Sequence, residues 1–335
     1  MSDDEMEAVC RDDSPGIAPW AYWTSELYSL GRCIRAFARY PRLLPLFVYS
    51  DHGAGLHSNL YPHELTSSAK VMLTFHGLKA KRYRTLSDKR VIHVPHPWVH
   101  YRHAKGYARV QTAAGTLAFL MHRVPGRTGE DLSRNEYLEL LRLLPEKFRP
   151  VVLCLHMHDV SAGEHRKLRQ YGFPIVTAGN TSSVHFVDRF YEIATKFSYA
   201  TSQQWGSQVA YCVELGVPYF FYGGRPRLVN LEYPDRLPGE VPYQDEFHEK
   251  YARRAEALFQ EPVDVVTQEQ RHFVEGVLGL DSTVSRTRMA WILWREFFRN
   301  WRGWWLLWCA PLTRSLRNRG VWGFARKITK RVRRL

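Results

Sequence analysis

Eight short apolar runs recur along this chain, at residues 43–49, 71–75, 91–94, 116–121, 150–155, 174–177, 197–201 and 218–222. Each closes in a polar or glycine-containing loop, and helical periodicity fills several of the gaps, at 134–144, 163–171, 184–195 and 207–215. Strand and helix in alternation specify parallel sheets built from strand–helix–strand units, so the expected class is α/β. The first three runs predict a small N-terminal sheet and the last five a second one. Thr24 is placed to cap a helix through about Tyr40, which Pro41 ends. The expected division is an acidic, disordered leader (1–19), an N-terminal α/β domain (20–110), a second α/β domain (111–282) and basic amphipathic helices (283–335), with a hinge near 107–115. Two such sheets facing each other place ligands in a cleft at the carboxyl ends of their strands.

Charge sharpens this division. The net charge is +14, yet residues 283–335 hold 14 Arg or Lys against one acid, Glu296, which leaves the body near neutrality. That distribution excludes a fold-wide nucleic-acid surface and points to a basic tail. The five cysteines are scattered without metal-knuckle or redox spacing and read as thiols of a reducing compartment. The acidic start of the chain lacks the basic and apolar regions of a secretory signal, so a cytoplasmic location is expected.

The loops after the strands are where chemistry is expected. The first run leads into Ser50-Asp51-His52-Gly53-Ala54-Gly55-Leu56-His57, where Asp51 can take a proton from a hydroxyl or can merely organise its own turn. His93, His96, His100 and His103 fall within eleven residues, but Pro95 and Pro97 break the helical pairing of a metal site, so no metal is expected. His96, fixed between prolines, suits a rigid hydrogen bond to phosphate or sugar. His122, His156 and His158 stand at two strand ends, where an imidazole can meet a pyrophosphate or cap the strand; the sequence leaves open whether His156 or His158 faces inward. Two hydroxyl-rich turns follow, one with Gly179, Asn180 and Thr181, the other with Ser202, Gly206 and Ser207. Each can cradle a phosphate at a helix start or simply cap the helix.

The stretch 201–222, a strand end, Thr-Ser, Gly-Ser, a helix, Leu-Gly-Val-Pro and a strand, resembles the donor domain of GT-B glycosyltransferases. Ser50-Asp51-His52-Gly53 together with His96-Pro97 resembles the acid-Gly and His-Pro motifs of bacterial sialyltransferase-type enzymes that build surface polysaccharide (O-antigen or capsule). The resemblance implies two Rossmann-like domains, acceptor-side at 20–110 and nucleotide-sugar-binding at 111–282. It implies Asp51 as the acceptor base, His96 or His122 supporting the leaving nucleotide, and Ser202, Gly206 and Ser207 holding its phosphate. A nucleotide-sugar would be substrate, with no separate cofactor, and the acceptor a lipid-linked or lipopolysaccharide glycan.

In the tail, Trp291, Trp294, Phe298, Trp301, Trp305 and Trp308 recur at steps of three and four, with Arg295 and Arg302 beside them. No uncharged stretch approaches the roughly 20 residues of a membrane span. Trp alternating with Arg predicts docking on an anionic membrane surface, here the inner face. Packing of the stripe against the body and nucleic-acid binding are the competing readings. The expected function is a metal-independent, inverting glycosyltransferase; the alternative is a non-catalytic scaffold that recruits a polysaccharide assembly complex.

Overall fold

The computed structural model describes residues 1–14, 16–56, 60–232, 235 and 246–304. Its strands are β1 Tyr49–Ser50, β2 Val71–Thr74, β3 Arg90–His93, β4 Thr116–Phe119, β5 Thr128–Asp131, β6 Val151–Cys154, β7 Ile175–Val176, β8 Tyr199–Ser202, β9 Tyr219–Phe221 and β10 Leu228–Asn230. The first three form one parallel sheet in the order β1-β2-β3, and five form a second parallel sheet in the order β7-β6-β4-β8-β9. All eight apolar runs thus contribute a strand, and the protein is α/β as expected. In β2, β4 and β9 every residue is buried, which is why strands covered on both faces read as unbroken apolar runs.

The helices are α1 Asp3–Arg11, α2 Leu30–Ala38, α3 Pro62–Thr66, α4 Gly77–Leu86, α5 Pro97–Lys105, α6 Arg134–Arg142, α7 Met157–Ser161, α8 Glu164–Leu168, α9 Phe186–Ala194, α10 Ser207–Leu215, α11 Glu246–Phe259, α12 Gln268–Val277 and α13 Arg286–Arg299. Three features of the fold differ from expectation. Residues 3–11 are not disordered: Ser2 and Glu5 form a capping box, and Met6 and Cys10 are buried in a core with Leu138, Leu141 and Leu153. The leader's acids are neutralised from afar, Asp3 by Arg169, Glu7 by Arg166 and Asp12 by Arg189. The helix expected from Thr24 begins only at Leu30, because the segment before it forms two short 3₁₀ turns, the second holding Tyr28 and Ser29 at left-handed backbone angles. A two-stranded antiparallel ribbon, β5 with β10, was not foreseen.

In the larger sheet the chain starts in the middle at β4, moves outward through β6 to β7, then returns to β8 and β9 on the other side. The reversal opens a crevice at the carboxyl ends of β4, β6 and β8, the position where doubly wound sheets hold ligands. One contiguous apolar cluster joins the two sheets: Val71, Leu73 and Phe75 of the smaller share it with Leu117, Phe119 and Ala200 of the larger. At its centre Trp98 is stacked on Tyr211, ring centroids 4.4 Å apart.

Candidate functional site

Residues directly following six parallel strands line a single cavity of about 410 Å³. They are Asp51 and His52 after β1, Phe75 and His76 after β2, Leu120–His122 after β4, Leu155 and His156 after β6, Ala178 and Gly179 after β7, and Gln203–Gln208 after β8. The size is that of a site for a small organic ligand. Loops from the two sheets meet at its rim. Ala54 N–H donates to Ser207 Oγ (2.9 Å), and Trp205 Nε1–H donates to the Ala54 carbonyl (2.9 Å). A Cβ at Gly53 would stand 2.6 Å from Ser207 Oγ, so a larger residue there would displace that hydroxyl.

The acidic end of the cavity is a buried triad. Lys79 Nζ donates to Asp51 Oδ1 (2.5 Å) and to Glu64 Oε1 (2.7 Å), while Asp51 Oδ2 accepts from Phe75 N–H (3.3 Å). Two carboxylates share one ammonium, so the group carries one excess negative charge. Burial pushes the Glu64 carboxyl up to about 7, with Asp51 adding repulsion. Desolvation works against the Lys79 charge, but the two carboxylates outweigh it and raise its pKa. A set of this charge takes up one proton near neutral pH. His52 stands beside it, its ring stacked 6.4 Å from that of Tyr28. Burial depresses it to about 4, so it is neutral at pH 7.

The histidine end lies opposite in chemistry. The rings of His122 and His156 stack 4.0 Å apart, and His158 lies 4.6 Å from His156. Of the pair left open by the sequence, His156 lines the cavity and His158 does not. His156 Nδ1 accepts from His158 N–H (3.3 Å), which leaves the neutral ring's proton on Nε2. That Nε2 is buried without a hydrogen-bond partner among the described residues. An unsatisfied buried donor costs about 1–3 kcal/mol, which an acceptor oxygen on a ligand would recover. Burial, with His122 and His158 nearby, keeps His156 uncharged. Among the described residues no group of three or more His, Cys, Asp or Glu is arranged to hold a metal ion.

His96 is not at the site. It is 1% exposed and absent from the cavity wall, its Nδ1 accepting from Trp98 N–H as the cap of α5 and its Nε2 facing Tyr211 Oη at 3.0 Å. The Pro-His-Pro context that suggested a ligand contact instead builds a helix start in the core. Burial holds this imidazole down to about 3.

The two hydroxyl-rich turns have different fates. After β8, α10 begins at Ser207 with Gly206 as its cap and no side chain on its first amides, so its N-terminus opens into the cavity along with Ser202. After β7 the next helix starts only at Phe186, well beyond Gly179. Gly179 lines the cavity, but Asn180 N–H donates to Val9 O of α1 (3.2 Å) and Thr181 contacts Met157 Sδ. Asn180 is therefore packed beneath the N-terminal helix and Thr181 against α7, and neither lines the cavity. The sequence reading missed Lys79, Glu64, Trp205 and Tyr211, all on the cavity wall.

At the other end of the chain, α13 buries Met289, Ile292, Leu293 and Phe297 against the body and turns Trp291, Trp294 and Phe298 outward; these and Trp301, just beyond the helix, are 36–66% exposed. Arg288, Arg295 and Arg90 each lie over the Trp291 ring, and Arg302 over that of Trp301. Trp305 and Trp308 lie outside the described residues. No helix among the described residues is long and apolar enough to cross a membrane.

No protein-family model matches this chain, and no curated protein matches it.

Proposed function

We propose that this protein is a glycosyltransferase of the GT-B type that moves a sugar from a nucleotide-sugar to a lipid-linked or lipopolysaccharide acceptor. The observation that carries the proposal is the convergence of six strand ends, from two parallel sheets, on one cavity with a proton acceptor at one side and uncapped helix amides at another. The donor's phosphates lie at the N-terminus of α10, against Ser202, Gly206 and Ser207, where amides and the helix dipole favour negative charge. The Nε2–H of His156 and the ring of His122 supply further contacts to the departing phosphate oxygen.

In the reaction the acceptor hydroxyl oxygen bonds to the anomeric carbon while the bond from that carbon to the phosphate oxygen breaks. The electron pair leaves with the nucleotide, and the hydroxyl proton passes to Asp51. Lys79 and Glu64 set the charge of that base, and the neutral His52 ring orients the hydroxyl. A single displacement inverts the anomeric centre, and protein groups carry the leaving charge, so the reaction is metal-independent. The outward aromatic face of α13, with its arginines, holds the protein on the anionic inner face of a membrane, where such acceptors reside.

The non-catalytic scaffold gains support from one feature: both Asp51 oxygens already accept hydrogen bonds inside the protein. Asp51→Asn separates the two readings. It leaves a neutral Lys79–Glu64 pair, so the variant is expected to fold and to bind nucleotide. Its transfer activity with a nucleotide-sugar that binds the wild type should fall by about 10²-fold or more. Unchanged turnover would remove Asp51 from the chemistry.

A further inference from the structure

A second concavity of about 400 Å³ lies on the far side of His76, which lines both it and the main cavity. One wall is α4, with Lys81 and Arg84; the facing wall includes Arg254 of α11 and His272 of α12. Three cations face it, against a single lining carboxylate, Asp281. The buried cations of this protein are paired, Arg35 with Glu26, Arg102 with Glu214 and Arg134 with Glu164, whereas the cations of this groove are exposed. Among the described residues none of Lys81, Arg84 and Arg254 has a carboxylate partner; Arg84 reaches only the Val91 carbonyl, at 3.4 Å, and Arg254 lies over the Phe273 ring.

Like charges gathered from separate helices around a hollow repel one another, and an anion seated between them lowers that repulsion. The hollow also lies at the N-terminal end of a ten-residue helix, where the backbone dipole adds positive potential. Phosphate oxygens match this set of donors, since ammonium and guanidinium groups make charge-assisted hydrogen bonds to them. We propose that this groove is a binding site for a phosphate- or diphosphate-bearing ligand, separate from the main cavity and independent of the transferase reading. The ligand is a soluble phosphate compound or the diphosphate head of a lipid carrier, and the two share the chemistry that the groove recognises.

The test is calorimetric titration of the full chain with inorganic pyrophosphate and, in parallel, with farnesyl diphosphate at equal ionic strength. Lys81→Ala/Arg254→Ala should remove one saturable binding event or weaken it by about tenfold or more, as expected for two lost charge-assisted contacts. Arg82→Ala/Arg253→Ala, which removes exposed cations of the same two helices outside the groove, should leave it intact. All four side chains are exposed or at the groove surface, and an unchanged circular dichroism spectrum confirms the fold. Tighter binding of farnesyl diphosphate assigns a lipid carrier, and equal binding assigns a soluble phosphate. Absence of saturable binding to either probe, or an equal loss in the two double variants, would overturn the proposal.

Discussion

His96 offers a prediction whose size can be worked out from its surroundings. The ring is fully enclosed between Phe75, Trp98 and Tyr211, with both nitrogens engaged, and burial lowers its pKa from 6.5 to about 3. A depressed histidine stabilises the fold above the unfolded value of 6.5, and that contribution is lost as pH falls from 6.5 toward 3. At pH 5 the unfolded ring is protonated and the folded one is not, a gap of about 1.5 pH units, or about 2 kcal/mol. His96→Gln keeps an acceptor for Trp98 N–H and a donor for Tyr211 but cannot titrate. At pH 7.5 it should cost about 1–2 kcal/mol in lost ring packing. Between pH 7.5 and pH 5 it should lose about 2 kcal/mol less than the wild type. His52 and His76, each held to about 4 by burial, titrate in the same direction in both proteins, so the comparison isolates His96. Urea unfolding at the two pH values measures it. Parallel losses in wild type and variant would refute the buried, neutral imidazole.

Three further outcomes are expected. Lys79→Met leaves Asp51 and Glu64 facing each other without their cation and should destabilise the protein by about 3–5 kcal/mol in urea unfolding, with part recovered by adding Glu64→Gln. Glu64 itself, raised from 4.5 to about 7, stabilises the fold below pH 4.5, and that contribution is lost as pH rises toward 7; Glu64→Gln should therefore flatten the decline in melting temperature between pH 5 and pH 8. Trp291→Ala/Trp294→Ala should cost about 1 kcal/mol or more of stability, since Trp294 packs edge-on against Tyr40, while lowering affinity for phosphatidylglycerol vesicles by about tenfold or more; undiminished vesicle binding by the folded variant would remove α13 as the docking surface.

The larger features of the fold were legible because their signals are local. The strands of the two parallel sheets are wholly or partly buried and carry short apolar runs, so eight such runs marked eight strands and their spacing divided them into two sheets. The ribbon of β5 and β10 was not legible, since Thr-Gly-Glu-Asp and Leu-Val-Asn are half-buried and carry no apolar run. The N-terminal helix read as a charged tail because its partners, Arg166, Arg169 and Arg189, lie more than 150 residues away.

The site divides in the same way. Asp51, His52, His122, His156, Gly206 and Ser207 follow strand ends and Ser202 closes one, and a parallel sheet places such residues together. Lys79 sits in Lys-Ala-Lys-Arg on a helix and reads as a solvated lysine; only the tertiary approach of Asp51 and Glu64 makes it a buried charge. His96 carried a local motif that fits both a ligand contact and a helix cap, and the distinction lies in Phe75, Trp98 and Tyr211 packed around it. Asn180 looked like part of a cradle because the helix α1 that covers it comes from the other end of the chain, and Thr181 because Met157 of α7 packs on it only in the fold.

The central claim, a nucleotide-sugar in the main cavity, is tested most directly by the thermal stability of the full chain with CMP, UDP, GDP and their common sugar conjugates. A ligand that binds only the native state raises the melting temperature. The account predicts a clear rise with one nucleotide class, reduced by Ser207→Ala and by His156→Ala and preserved in His96→Gln. No rise with any of them, from protein shown to be folded, would contradict the claim and leave the scaffold as the better reading.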